Sequence, residues 1–498
     1  MMKRVLITGL IFFSSTLGYA QSPYSQLQFA DPVMQNLLGT YDNGPKKVSI
    51  SYDSPFALYN IAFERFKNGN VKPAYDDLKN LFENADATDY FYIKSAESMA
   101  KAGLYSLSEL AMDKIKEKDV ANIVTEDIRH YYFPKNPIKL KKELYLAELY
   151  SNIVYNEQSS ETVNELIDAG LEDDYTNYLL AFAYSQSKDY SKAQDYIEKA
   201  VQLNPENINY QILKVEILAE TGQEKDALKL IKKLASKQIY SSTFRDKLLS
   251  SEKYVQYKLA KSSALKNYYL GYYYYYEKAY EKAIRTLLGI SKKNKNVIAL
   301  LSRIYFDTNE YDKALGLAQK AKNIALADEV IGDYFMRKDN YSSALKFYKK
   351  AAALDKKNLS YQEKTAGTYV ALNEKNKARE IFEKVILSSN NAYISYYNLA
   401  LLDSASTLQY LKKCVAINMM FTDGWLELAN FELTKQNYKN AENYLKIVKS
   451  IDENNFKYYY YLGLLCEKQG QNDEAKVNFQ KVLIINPDFS PAKEALNI

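Results

Sequence analysis

Histidine, cysteine and tryptophan are nearly absent from this chain of 498 residues, which has one histidine, two cysteines and one tryptophan. Because His130 is the only imidazole, a metal site built from several histidines is excluded. Cys414 and Cys466 form no CxxC pair and occupy apolar positions about fifty residues apart. Buried free thiols are favoured over a disulfide between them, and the composition predicts neither a metal nor a cofactor.

Proline and long apolar runs are also scarce. Only Pro205 interrupts the stretch between Pro137 and Pro487, and since proline breaks helices, that stretch can be helical almost throughout. After residue 20, no segment is apolar enough to span a membrane. Serine nucleophile elbows, phosphate-binding loops, HExxH motifs and dinucleotide fingerprints are absent. These absences favour an all-α, non-catalytic protein whose mature chain has no transmembrane span.

Small residues return along nearly the whole chain at a spacing close to 34 residues, as from Ser159 to Ala193 and from Ala441 to Ala475. Many of them follow a tyrosine by three positions, as Ala344 follows Tyr341. A fixed period of this length predicts stacked helical hairpins, in which the small residue lets two helices cross closely. The predicted packing positions are Ala74, Ser108, Ser159, Ala193, Ala227, Ala283, Ala314, Ala344, Ala378, Ala441 and Ala475.

These units resemble the tetratricopeptide repeat (TPR) family. Two units fit the pattern well, one with Asn177, Leu180, Ala181, Tyr184, Ala193, Ile197, Ala200 and Pro205, and one with Trp425, Leu428, Ala429, Ala441, Leu445 and Val448. The resemblance covers about residues 55–489 and departs from the pattern at Lys214 and Thr365, which occupy apolar positions. It implies an all-α fold, an α-α superhelix (TPR solenoid) of about twelve helix-turn-helix repeats, counting one shortened repeat around Tyr396. It also implies that the first helix of each repeat lines a ligand-facing surface.

The N-terminus is typical of a secretory signal. Lys3 and Arg4 precede a short apolar run at 5–17, and Gly18-Tyr19-Ala20 supplies small residues at the cleavage positions. An uncleaved N-terminal helix is the alternative. The signal predicts export to the periplasm or the outer membrane, and nucleic acid is then disfavoured as a partner.

The sequence predicts eight successive segments. They are a signal peptide (1–20), a flexible N-terminal arm (21–54), TPR repeats (55–122), a connector (123–139), TPR repeats (140–241), a basic insertion (242–263), TPR repeats (264–489) and a C-terminal tail (490–498). His130 falls in the connector and is expected to be an exposed turn residue. Residues 245–295 contain twelve basic and four acidic side chains, although the net charge of the whole chain is only +5. This stretch predicts either a patch for an acidic protein, an anionic glycan or a lipid headgroup, or a solvated helix face.

Tyrosine is abundant, with 48 residues in the chain. Its ring offers a large apolar body and one hydroxyl, which suits both recognition surfaces and the seams between repeats. The family register places one set of aromatic residues on the ligand-facing side. This set comprises Phe56, Tyr59, Phe63, Phe66, Tyr175, Tyr178, Phe182, Tyr268, Tyr272, Tyr275, Tyr397 and Tyr460.

The sequence therefore predicts a scaffold or adaptor of the cell envelope that holds a peptide or helix of a partner protein on a tyrosine-rich face. One alternative is a glycan-binding component of a polysaccharide export or assembly system. Another is a hydrolase that uses carboxylates alone, although pairs such as Asp173-Asp174 and Asp76-Asp77 fall at helix starts or on helix surfaces, where acids are common.

Overall fold

The fold was examined in a computed structural model. It describes residues 55–87, 89–116, 118–156, 158–168, 173–236, 242–389, 392–418, 421–452 and 454–497. Within these ranges all regular secondary structure is helical. The described chain divides into an N-terminal unit up to Ala279 and a C-terminal unit from Tyr280. The signal peptide and the flexible arm predicted for residues 1–54 lie outside the described residues.

The N-terminal unit contains thirteen helices in its described residues. They are α1 (Pro55–Lys67), α2 (Val71–Asn84), α3 (Asp89–Lys101), α4 (Tyr105–Asp113), α5 (Lys118–Tyr132), α6 (Leu140–Tyr155), α7 (Ser159–Asp168), α8 (Asp174–Gln186), α9 (Tyr190–Leu203), α10 (Ile208–Glu220), α11 (Glu224–Ala235), α12 (Ser242–Leu259) and α13 (Ser263–Tyr276).

The C-terminal unit contains fourteen helices in its described residues. They are α14 (Tyr280–Leu288), α15 (Lys295–Asp307), α16 (Tyr311–Lys320), α17 (Ala325–Arg337), α18 (Tyr341–Leu354), α19 (Leu359–Ala371), α20 (Lys375–Ser388), α21 (Tyr393–Leu402), α22 (Thr407–Ile417), α23 (Thr422–Thr434), α24 (Tyr438–Ile451), α25 (Phe456–Lys468), α26 (Asn472–Ile485) and α27 (Ser490–Leu496).

Neighbouring helices pack in pairs as hairpins within each unit. In the N-terminal unit the pairs are α1–α2, α3–α4, α6–α7, α8–α9, α10–α11 and α12–α13, and in the C-terminal unit they are α15–α16, α17–α18, α19–α20, α21–α22, α23–α24 and α25–α26. The predicted all-α array of helix-turn-helix repeats is confirmed. Each hairpin also packs against the next one in its unit, so each stack buries a continuous apolar seam.

The small residues of the repeat lie where the helices of a hairpin approach each other. All eleven predicted packing positions are buried, and each lies on the second helix of its pair or, for Ala283, on α14. Ser108 shows why a small polar residue also fits, because its hydroxyl donates to the carbonyl of Ala96 on the first helix at 2.8 Å. In the last hairpin, Gly463 faces the ring of Phe479 directly.

The turn inside most hairpins contains one residue with positive φ. Glycine supplies it at Gly69, Gly103, Gly222 and Gly470, but Lys188, Asn309, Asp339, Asn373 and Gln436 adopt the same conformation at φ between 55° and 66°. An L side chain is disfavoured in this left-handed region, whereas glycine is not. Asparagine and aspartate also tolerate this conformation, so the turns with lysine or glutamine at this position are the points of stored backbone strain.

Replacing Lys188 (φ 65°) with glycine is expected to raise the free energy of unfolding by up to about 1 kcal/mol, because the strain is relieved. The control is Lys199→Gly in the interior of α9, which should lower the free energy of unfolding by about 1 kcal/mol. Urea unfolding of the two variants measures the difference. A loss of stability in both would show that the turn is not strained.

An additional helix lies between the second and third hairpins. Residues 118–132 form α5, so most of the predicted connector (123–139) is helical, and only 133–139 is irregular before α6. The prediction for His130 is half correct, since the side chain is exposed but lies in the last turn of a helix. The end of α5 is held by Asn207, whose side-chain amide donates to the carbonyl of Tyr132 at 3.0 Å.

Helix α6 forms hydrogen bonds with both of the first two hairpins, α1–α2 and α3–α4. The Ser151 hydroxyl donates to the carbonyl of Phe66 at the end of α1, 85 residues away, at 2.7 Å. The buried Glu143 carboxylate accepts from the backbone N–H of Ser106 at 2.9 Å and from its hydroxyl at 2.8 Å. A carboxylate from another helix thus supplies the N-terminal cap of α4, whose own N-cap residue, Leu104, makes no side-chain cap.

Three further predictions concern the state of the two cysteines, the C-terminal tail and the absence of a membrane-spanning helix. Cys414 and Cys466 are free and buried, as predicted. The predicted tail contains the short helix α27, and Phe489 just before it packs against Phe456 and Tyr460 at ring distances of 5.2 Å. Across the described ranges no helix combines the length and apolarity needed to traverse a bilayer.

Candidate partner-binding surface

The predicted aromatic residues of α1 are packed inside the N-terminal unit. Tyr59, Phe63 and Phe66 are buried and form a row with ring distances of 5.9 and 5.7 Å. Phe66 continues the row to Tyr150 of α6 at 6.5 Å. The side chain of Phe56 lies outside the described part of the structure. These buried rings seal the seam between α1 and its neighbours.

The aromatic residues of α8 pass from the interior to the surface. Tyr175 is buried, whereas Tyr178 and Phe182 are half-buried. Successive rings are stacked at 6.0 and 6.2 Å, because the spacing of three and four residues places them on one face of the helix. Tyr210 of α10 stacks on Tyr178 at 5.0 Å and fixes its orientation from the neighbouring first helix. Tyr178 and Phe182 thus present a rigid, partly accessible aromatic surface.

Polar bonds beneath this surface hold α8 in place. Asp173 caps the helix by accepting from the Thr176 N–H at 2.7 Å and pairs with Lys142. The buried Asp174 accepts from the Lys135 N–H at 2.8 Å and from the Asn204 amide at 2.9 Å. Both carboxylates of this pair therefore have structural partners, and in the other pair Asp76 binds Lys72 and Asp77 binds Arg65.

The α12–α13 hairpin carries the second partly accessible aromatic group. Tyr268 and Tyr272 are half-buried with their rings 5.2 Å apart, whereas Tyr275 is buried. The Lys253 ammonium of α12 lies 5.5 Å from the Tyr272 ring centre, within the range of a cation–π contact. Most side chains of α13 are only half-buried, whereas α15 buries eight residues.

The basic insertion predicted at 242–263 is mostly α12, and several of its lysines are neutralised inside the unit. Lys247 pairs with Glu216 of α10 at 3.3 Å, and Lys258 pairs with Glu220 of the same helix at 2.6 Å. Tyr254 also donates its hydroxyl to Glu220. The negative charge of Glu216, together with that of Glu277, raises the pKa of Lys247 and outweighs burial, which by itself would lower it. Two of the twelve basic side chains counted in residues 245–295 therefore hold α12 to α10.

The last two predicted aromatic residues lie in the C-terminal unit and are buried. Tyr397 packs against Phe421 at 5.3 Å, and Tyr460 packs against Phe489 at 5.2 Å. Of the twelve predicted residues, those with partly accessible side chains in the described structure are Tyr178, Phe182, Tyr268 and Tyr272. Their role in binding stays a prediction.

A buried ionic network connects three first helices of the C-terminal unit. Asp333 of α17 accepts from Arg303 of α15 at 2.7 Å and from Lys364 of α19 at 2.7 Å. Lys364 also pairs with Glu329 at 2.6 Å, and the Tyr348 hydroxyl donates to Asp333 at 2.7 Å. Sequence reasoning did not find this network. The spacing of Arg303, Asp333 and Lys364 could have indicated the network, because these charged residues recur at intervals of 30 and 31 residues, close to the repeat length.

An open cleft lies between the end of α5 and the turn that joins α9 to α10. Its volume is about 620 Å³, and its lining includes His130, Phe133, Lys135, Asn204 and Glu206. His130 Nε2 is 3.8 Å from the Glu206 carboxylate. The lining mixes acidic and basic side chains, and no part of the described chain gathers three or more His, Cys, Asp or Glu residues in an arrangement that could hold a metal ion.

Comparison with known proteins identifies the repeats. Tetratricopeptide repeat models match residues 175–207 and 456–489, one segment in each unit. The TPR repeat-containing protein MJ1428 of Methanocaldococcus jannaschii is 24% identical in an alignment 375 residues long, and 63% of this chain is covered. The chain spans 64% of the length of that relative.

Solved structures give weaker likenesses. The APC/C hetero-tetramer Cut9-Hcn1 is 11% identical, with 92% of this chain and 97% of that chain covered and a TM-score of 0.43. MamA is 23% identical, with 32% and 97% covered and a TM-score of 0.26. Two segments of this chain therefore match tetratricopeptide repeats, and stacked helical hairpins of this kind form an architecture that supports protein–protein interaction.

Proposed function

We propose that this protein is an exported, non-catalytic scaffold of the cell envelope that holds a segment of a partner protein against its aromatic first helices. The observation that carries the proposal is the stacked row on α8, where Tyr178 and Phe182 are partly accessible and Tyr210 supports them from α10. Rings fixed by stacking lose little conformational entropy when a partner binds, so their contact area is converted efficiently into affinity.

The second aromatic group, Tyr268 and Tyr272 on α13, supplies further contact area within the same unit. Export is supported by the signal-like N-terminus. A holding role is supported by the carboxylate pairs on α2 and α8, which serve as caps and ion pairs, and by the single exposed histidine.

The double substitution Tyr178→Ala with Phe182→Ala is expected to weaken partner binding at least tenfold, because an aromatic anchor at a protein interface contributes about 2 kcal/mol or more. The partner is first identified by placing a photo-crosslinking amino acid at Phe182 in cells and analysing the adduct. Affinity is then measured by calorimetry with the purified partner.

Tyr196 provides the matched control. It is a half-buried tyrosine on α9, the second helix of the same hairpin, where it stacks on Tyr184 at 5.6 Å. A crosslinker at Tyr196 should give no adduct, and Tyr196→Ala should leave affinity unchanged. Equal crosslinking from both positions, or full affinity of the double variant, would remove the first helices from the binding surface.

A further inference from the structure

The turn end of the α12–α13 hairpin combines exposed apolar and basic side chains. We call the tip patch the surface formed by Tyr257, Leu259, Lys261, Leu265, Lys266, Tyr268 and Tyr269. Leu259 is 42% exposed and Leu265 is 40% exposed, and every residue from 261 to 266 is exposed. Two leucines of this exposure on either side of one turn form an apolar surface that the described structure leaves open to solvent.

The charge of the tip patch is positive and uncompensated. Lys247 and Lys258 on α12 are neutralised by glutamates of α10, but Lys261 and Lys266 make no ion pair within the described residues. The Lys266 ammonium lies 6.0 Å from the Tyr257 ring centre, so it stays beside the apolar surface. Lys247 and Lys258 therefore stabilise the packing of α12, whereas Lys261 and Lys266 present unpaired cations at the tip of the hairpin.

Side chains on the first turns of α13 share one face. Leu265, Tyr268 and Tyr269 follow the spacing i, i+3, i+4, which places them side by side on a helix. Tyr268 and Tyr269 are half-buried with their rings 5.5 Å apart. The tip patch thus combines the side-chain types that suit a membrane interface, where leucine enters the acyl boundary, tyrosine lies at headgroup level and lysine reaches the phosphates.

We propose that the tip patch docks the protein on an anionic lipid surface. An acidic peptide would satisfy Lys261 and Lys266 but would leave the apolar surface of Leu259 and Leu265 without a matching partner. An anionic bilayer satisfies both requirements, because headgroup charge attracts the lysines while the acyl boundary accepts the leucines. This docking does not use the aromatic row on α8. The tip patch shares Tyr268 with the second aromatic group, but the substitutions that test the docking leave Tyr268 in place, so the two proposals are tested separately.

Flotation of the purified full chain with vesicles tests the proposal. Binding is expected to vesicles that contain phosphatidylglycerol, to be much weaker with phosphatidylcholine alone, and to fall as salt is raised. Changing both Lys261→Gln and Lys266→Gln should weaken binding about thirtyfold, since each lysine near an anionic surface contributes about 1 kcal/mol. Leu259→Ser with Leu265→Ser should weaken binding to a similar degree and should also reduce the fraction that stays bound at high salt.

The same unit offers matched controls. Lys232 and Lys233 of α11 are exposed, and Leu203 of α9 is 46% exposed. The changes Lys232→Gln with Lys233→Gln, and Leu203→Ser, should leave vesicle binding unchanged. Equal binding to neutral vesicles, no binding to anionic ones, or tip variants that bind as well as the parent would each overturn the proposal. Binding of polyglutamate without binding of vesicles would assign the patch to an acidic polypeptide instead.

Discussion

Replacing Asp333 with alanine is expected to lower the free energy of unfolding of the C-terminal unit by about 3–5 kcal/mol. The Asp333 carboxylate is buried and accepts from Lys364 at 2.7 and 3.0 Å, from Arg303 at 2.7 Å and from Tyr348 at 2.7 Å. Removing it leaves two buried cations facing each other with one carboxylate fewer between them. Loss of one member of a buried ionic network costs more than the network contributes as a whole.

Urea unfolding of the full chain measures this effect, and hydrogen exchange in α15, α17 and α19 locates it, since a chain of stacked repeats need not unfold in one step. Asp312→Ala is the matched control, because this carboxylate accepts from the Tyr334 hydroxyl at 3.1 Å in an exposed position of the same unit. Its loss should cost less than about 1 kcal/mol. Equal costs for the two variants would contradict the assigned role of the buried network.

The buried network around Asp333 also determines how the stability of the fold changes with pH. Burial by itself raises the pKa of Asp333, but the charges of Lys364 and Arg303 outweigh burial and hold the pKa below its ordinary value of 3.8. A carboxyl with a lowered pKa stabilises the fold above its unfolded pKa, and this stabilisation is lost as the pH falls through the lowered value. The parent should therefore lose stability in acid below about pH 4, and Asp333→Asn should lose less over that range.

The fold could be predicted from the sequence because the same packing requirement recurs in each repeat. Ala193, Ala227 and the other small residues mark the second helices, since a larger side chain there would separate the hairpin. The sequence did not reveal the left-handed residues at Lys188 or Gln436, because lysine and glutamine have no preference that signals positive φ. It also did not show that α12 pairs with α13, since that pairing depends on tertiary contacts such as the one between the rings of Tyr254 and Tyr273 at 5.6 Å.

The aromatic site was harder to predict than the fold. The register placed Tyr59, Tyr175 and Tyr178 alike on first helices, yet Tyr59 and Tyr175 are buried and Tyr178 is half-buried. The difference arises from neighbours distant in sequence, such as Phe91 packed against Tyr59 at 6.1 Å and Tyr105 packed against Tyr175 at 5.5 Å. Periodicity assigns a residue to a helix face, but only the tertiary arrangement decides whether another ring covers that face.

Replacing Gly463 with alanine is expected to lower the free energy of unfolding by about 1–3 kcal/mol, whereas Gly367→Ala should raise it by up to about 1 kcal/mol. A Cβ atom on Gly463 would lie 2.5 Å from Cε1 of Phe479, whose ring is buried. A Cβ atom on Gly367, also within a first helix, would meet nothing within 4 Å, so only the helix preference of alanine remains. Urea unfolding should give opposite signs for the two changes. Adding Phe479→Leu to Gly463→Ala should recover part of the loss; if that double change is as unstable as the sum of the single ones, close approach of α25 and α26 is not the cause.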